Sequence, residues 1–230
     1  MTSAKLRELR KSRGLTQAEV SRRLRVSQPY LSLLEKGKRR FPTKMMGAVV
    51  RLFGLRATAL PVSAYQVGNI ADERLAKDLA ALGYPGFAYL KSGRKRNPAD
   101  VLLAALAKLD LDPRVTEALP WLVLHYPDMD REWLVTQARV SNLSNRLGFV
   151  VDMARQLAEN AERSDLLTSH SLNELAKELR AGRLDVEGTL CQDSLSEAER
   201  QWLRQNRPDQ ARYWHLLTNW RPEHLQYGAR

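Results

Sequence analysis

The side chains that most often carry chemistry are distributed along this chain in a way that favours binding over catalysis. His125, His170, His215 and His224 lie far apart, and none falls in an H-E-x-x-H or comparable metal-ligand spacing. Cys191 is the single cysteine; no histidine stands near it in sequence and no G-x-S-x-G or phosphate-loop pattern accompanies it, so neither a nucleophile nor a Cys-based zinc site is signalled. Asp128 and Asp130, ahead of Arg131-Glu132-Trp133, suit the cap and dipole of a helix start, and nothing around them motivates a metal site. No enzymatic activity, metal or cofactor is therefore expected.

The cations, by contrast, do cluster. Residues 1–55 hold 14 Lys or Arg against three acids, Glu8, Glu19 and Glu35, whereas the remainder holds 23 of each sign. The whole net charge of +11 thus lies in the first quarter of the chain. Such confinement suits a polyanion, nucleic acid above all. A solvated basic surface has the same composition, so the elements that position these charges must decide.

With 230 residues, 43% of them hydrophobic, the chain has material for one large or two small packed domains. A lone thiol excludes a disulfide framework and fits a reducing, cytoplasmic setting. The longest apolar run, the seven residues Val101 to Ala107, is far below the roughly 20 that span a bilayer, so no membrane association is expected.

Helical periodicity dominates, with no strand alternation or internal repeat. Leu6 and Leu9 share one face of a first helix that stops at Gly14. Thr16-Gln-Ala-Glu19 is a capping box opening a second helix, with Val20 and Leu24 inward. Arg25 and Val26 make a short turn, Ser27 caps a third helix with Leu31 and Leu34 as its inner pair, and Gly37 ends it before the basic run Lys38-Arg39-Arg40. Beyond Pro42, Met45 to Phe53 supply one or two more helices, which makes five short helices in residues 1–56. A connector with Pro61 is expected over 57–70. From 71 to 230 the pattern predicts a larger all-helical domain, with helices at 71–82, 98–109, 113–126, 130–139, 142–163, 171–181, 195–206 and 208–218. Capping boxes stand at Ser171 to Glu174 and Ser196 to Glu199, and Asn97-Pro98 reads as an N-cap followed by proline at the first helical position. The basic loop Lys91 to Arg96 reads as a solvated linker or a contact to DNA flanks.

The order and spacing of Leu6-Arg7-x-Leu9-Arg10, Gly14-Leu15-Thr16-Gln17-x-Glu19-Val20, Leu24, Val26-Ser27, Leu31-Ser32 and Leu34-Glu35-x-Gly37-Lys38 resemble the XRE-type family of Cro and phage repressors, a helix-turn-helix family. The resemblance implies a lambda-repressor-like, all-α domain that binds operator DNA as a homodimer, with half-sites roughly 34 Å apart. By it, Gln17 anchors to a phosphate at a helix N-terminus, and Gln28, Pro29, Ser32 and Leu33 face base edges. Their chemistry agrees, because a Gln amide pairs with adenine and apolar groups meet the thymine methyl. Tyr30, Lys38, Arg39 and Arg40 become phosphate contacts, which position without reading sequence, and Arg10 and Glu35 become an internal ion pair. Arg25 departs from the pattern, since the family usually has glycine in that left-handed turn, and a side chain there costs about 1–2 kcal/mol.

A second resemblance covers 97–158. Asn97-Pro-Ala-Asp-Val-Leu-Leu, Leu119-Pro-Trp-Leu and Asn145-Arg-Leu-Gly-Phe-Val-Val look like the C-terminal extensions of phage-repressor-type regulators that are sometimes paired with nucleotidyltransferase-like toxins. It implies an alternative in which the larger domain is an antitoxin holding a partner toxin. The heptad-like series Leu143, Leu147, Val150, Ala154, Leu157 and Ala161 suits either a dimer seam or an intradomain core. The five tryptophans are expected mainly in the core.

Overall fold

A computed structural model describes residues 3–62, 70–91, 93–160 and 166–225, and its internal contacts divide the chain into two units, before and after Val62. Both are built of helices. In the first, α1 (Ser3–Ser12), α2 (Gln17–Leu24), α3 (Gln28–Glu35) and α4 (Met46–Phe53) surround a core of Leu6, Val20, Leu24, Leu31, Leu34, Val49 and Phe53. The remaining helix expected in this unit is a 3-10 turn, Thr43–Met45, that runs directly into α4. The connector expected from residue 57 starts inside this unit. Ala57–Ala59 form a further 3-10 turn, and Ala57 and Leu60 are buried, so apolar burial carries the unit past residue 56. Residues 63–69 of that connector lie outside the described residues.

The second unit contains α5 (Asp72–Leu82), α6 (Pro98–Leu106), α7 (Pro113–His125), α8 (Arg131–Val140), α9 (Ser144–Asn160), α10 (Leu166–Ala181), α11 (Glu197–Asn206) and α12 (Asp209–Tyr213). Helix α9 is buried on nearly every side from Leu147 to Ala154, with α7 and α10 packed against it, which is the position of a central core helix. Leu143, Leu147, Val150, Ala154 and Leu157 are all buried within the chain, so that series is intradomain core and not a free dimer seam; Ala161 lies outside the described residues.

Gly148 sits in α9 because a Cβ there would come within 2.3 Å of the Trp214 ring. That indole is wholly buried and donates from Nε1 to Asp152 Oδ2 at 2.8 Å. Asp152 is itself buried, and its other oxygen accepts from Arg155 and Arg180 at 3.2 and 3.0 Å. A buried carboxylate is tolerable only with such partners.

Three expectations change. The capping box at Ser171 does not open its helix: α10 runs from Leu166, with Leu166 and Leu167 83% and 76% exposed, so the buried apolar series Leu172, Leu175, Ala176 and Leu179 marks only its later part. The helix expected over 208–218 stops at Tyr213. His215 takes φ +52°, and the buried pair Leu216–Leu217 (β2) joins Gly188–Thr189 (β1) in a short parallel ladder. A doubly apolar run buried on both faces reads equally well as helix or strand. Among the tryptophans only Trp121 and Trp214 are fully buried, while Trp202 is 53% exposed. Elsewhere Asn97 caps α6, Asp130 caps α8, and the Ser196 to Glu199 box opens α11.

Candidate nucleic-acid interface

The first unit presents α3 to solvent through four local devices. Thr16 Oγ1 accepts from Glu19 N–H at 3.2 Å while the Glu19 carboxylate accepts from Thr16 N–H at 2.7 Å, so α2 starts in a closed capping box. Glu19, bonded in this way by the Thr16 amide and hydroxyl, is held below the ordinary glutamate pKa. Arg25 ends α2 in the left-handed conformation (φ 56°, ψ 46°), its N–H donating to Arg22 O, and Val26 N–H reaches back to Ser21 O at 2.9 Å. Bonds of this kind satisfy the last carbonyls of a helix, and they turn the chain within two residues. Ser27 then caps α3 by accepting from Tyr30 N–H at 3.3 Å, with Pro29 in the first turn, where a missing amide is harmless.

Helical spacing divides α3 into two faces. Leu31 and Leu34 are buried, while Gln28, Pro29 and Leu33 are exposed and Ser32 is half-buried beside them. Tyr30 is half-buried and packs against the core. At the far end Gly37 takes φ +71°, and the amides of Lys38 and Arg39 both donate to Leu33 O at 3.0 and 3.3 Å. The basic run is therefore folded back onto the end of α3, with Lys38, Arg39 and Arg40 exposed.

Beneath α3 lies a charged lock. Arg10 Nε and Nη2 donate to the two oxygens of Glu35 at 2.7 and 3.0 Å, and Arg10 Nη1 donates to Leu15 O at 2.9 Å. The Glu35 side chain is 2% exposed. Burial alone would raise its pKa, but the bonds from Arg10 and Gln17, with the charges of Arg10 and Arg7, outweigh burial and hold the carboxyl below the ordinary glutamate value. Gln17 takes part through Nε2, 2.8 Å from Glu35 Oε2. One amide hydrogen of the expected phosphate anchor is thus committed inward, and its second hydrogen remains for a partner outside. This bond spans eighteen positions, and no local pattern in the sequence signals it.

The acids of this unit are all occupied: Glu8 pairs with Lys5 at 3.3 Å, Glu19 closes its cap and Glu35 fills the lock. These three carboxylates are outnumbered by exposed cations, Arg22 and Arg23 on α2 and Lys38, Arg39 and Arg40 in the run after α3. A rigid helix showing amide, hydroxyl and apolar groups, with cations at its end, suits the edges of bases in a groove and the phosphates beside it.

Residues 6–60 match the helix-turn-helix family model. The first unit is thus a helix-turn-helix domain of the XRE, Cro and phage-repressor type, a DNA-binding module of transcription regulators. The match spans about a quarter of the chain, and no curated protein or solved structure matches the chain.

Cys191 is fully buried, its thiol pushed up to about 11 by burial, and it contacts the Ala105 and Leu106 carbonyls. His125 stacks on Trp121 at 4.5 Å. Among the described residues no group of three or more His, Cys, Asp or Glu is placed to hold a metal, and no helix is long and apolar enough to cross a membrane.

Proposed function

We propose that the chain is a sequence-specific transcriptional repressor that reads operator DNA with Gln28, Pro29, Ser32 and Leu33 and grips phosphates with Gln17, Tyr30, Lys38, Arg39 and Arg40. The observation that carries this reading is the pairing of an outward polar and apolar face on α3 with a basic run pinned to its end through the Leu33 carbonyl. The chain acts as a homodimer, because two copies on adjacent half-sites gain affinity through effective concentration. With the α9 series buried inside its own unit, pairing uses another surface. The test is a mobility shift with the DNA upstream of the chain's own coding region. A low-salt shift that depends on duplex sequence supports the reading, and failure to bind any duplex ends it.

A second reading rests on exposed apolar groups of the second unit. Leu166, Leu167 and Trp202 stand more than half exposed, and exposed tryptophan is a frequent anchor in protein interfaces. In this reading the second unit holds a protein partner as an antitoxin holds its toxin, while the first unit represses their common operon. Co-purification of an adjacent gene product with the full chain tests it, and a stable, partnerless homodimer counts against it.

A further inference from the structure

We propose that Lys91, Arg94 and Lys95 form a second phosphate-contacting surface, on the second unit, which engages the backbone of the same duplex outside the base pairs read by α3. This rests on the DNA-binding reading above.

Residues 63–230 carry 22 basic and 23 acidic residues, so a cluster of one sign there stands against the local balance. No acid occurs between Asp78 and Asp100, and four cations fall within six residues of that stretch, Lys91 to Arg96. The other arginines of the unit are mostly consumed. Arg131 pairs with Glu178, Arg146 with Asp193, Arg155 and Arg180 with Asp152, Arg204 with Glu187 and Glu197, and Arg212 with Asp209.

Within the basic run the roles divide. Arg96 Nη1 sits 3.0 Å from Asp78 Oδ2, a carboxylate only 2% exposed, and the next residue, Asn97, caps α6. On the other side Leu90 N–H donates to Phe87 O at 2.9 Å, closing a turn beside the 67%-exposed Tyr89, whose ring meets Phe87 edge-on. Leu90 and Arg96, on either side of the other three cations, are thus each held by a bond. Lys91, Arg94 and Lys95 between those fastenings are exposed, and no ion pair ties them to the described residues. Three exposed cations in an acid-free stretch of sequence, with no ion pair to the described residues, fit a regular array of negative charges. Duplex DNA, already held by the first unit, supplies that array at high effective concentration. Two ammonium groups and a guanidinium on an exposed stretch pair with phosphate oxygens, and such a contact is blind to sequence.

The full chain and its K91A/R94A/K95A variant are titrated with duplex DNA between 50 and 200 mM salt. The expected result is a log–log salt slope shallower by about 0.9 per contact, up to about 2.7 in all, and an affinity lower on the order of a hundredfold at 0.1 M salt, alike on specific and unrelated duplexes. R96A serves as the contrast: it lowers the melting temperature and leaves the slope unchanged. An unchanged slope and affinity in the triple variant, with wild-type chain binding normally, overturns the proposal. So does loss of a co-purifying acidic protein in place of DNA affinity, which would assign the run to a protein partner. A wild-type chain that binds no duplex at all removes the underlying DNA reading instead, and this proposal with it.

Discussion

Gln17 Nε2 donates to Glu35 Oε2 at 2.8 Å, the same oxygen that accepts from Arg10 Nη2 at 3.0 Å. One buried carboxylate thereby joins the end of α1, the first turn of α2 and the last residue of α3. The angle between the two helices of the motif is set by this charge-assisted hub as well as by the apolar pair Leu31 and Leu34. DNA recognition by α3 depends on that angle, although neither Arg10 nor Glu35 faces outward.

Removing Arg10 should therefore destabilise the first unit selectively. Arg10→Ala leaves the Glu35 charge buried without its main partner and is expected to cost about 3–5 kcal/mol, whereas Gln17→Ala, which removes one hydrogen bond, costs about 1–2 kcal/mol. All five tryptophans lie beyond residue 62, so tryptophan fluorescence reports the second unit while circular dichroism reports both. Urea unfolding of the full chain should show the early dichroism transition of Arg10→Ala move to lower denaturant, with the fluorescence transition in place. Equal movement of both would refute the assignment.

The same carboxylate fixes a pH dependence. The folded-state pKa of Glu35 lies below its unfolded value, about 4.3, so its contribution is complete above that value and is lost as pH falls through the lower, folded one. Dichroism melts of the full chain between pH 5 and 2 should show the first unit weakening across this window. Glu35→Gln should be less stable at neutral pH and should show a flatter response. An unchanged response in that variant would show that other groups drive acid unfolding.

Much of the first unit is legible in the sequence because its signals are local. Thr16 and Glu19 are three residues apart, Leu31 and Leu34 share a face, and Gly37 marks a left-handed end. What escapes is set by tertiary contact. The Gln17 to Glu35 bond joins two elements, and Leu216–Leu217 pairs as a strand because Gly188–Thr189 lies beside it. Gly148 is the same kind of case. In sequence it only weakens the helix around it, and its reason, the Trp214 ring, lies 66 residues away.

Gly148→Ala is accordingly expected to destabilise the second unit in spite of the better helix propensity of alanine. The added Cβ would meet Trp214 ring carbons at 2.3–2.5 Å, and that ring is held by its bond to Asp152. Overpacking of this kind costs about 1–3 kcal/mol. The fluorescence-detected transition should move to lower denaturant, and a double variant with Trp214→Leu should lose less than the sum of the two single losses. Strict additivity would contradict the contact.

Arg25→Gly should act in the opposite sense. Arg25 holds φ +56° with a Cβ, and glycine relieves a strain of about 1 kcal/mol there. The dichroism transition of the first unit should rise slightly or hold, while DNA affinity falls by no more than the one phosphate contact that Arg25 could supply. A clear loss of stability would show that the side chain, and not the turn, is what the position requires.

Base reading by α3 is measured by binding of the full-length chain to a randomised duplex library, followed by titration of the selected site with point variants. The expected result is one enriched sequence with two related half-sites about 34 Å apart. Gln28→Ala or Leu33→Ala should weaken binding by about 1–3 kcal/mol at one or two base pairs only, and Arg39→Ala or Arg40→Ala should weaken all duplexes alike, with a salt slope shallower by about 0.9 each. Absence of any enriched sequence, or a Gln28→Ala loss equal on every duplex, would contradict base reading by α3.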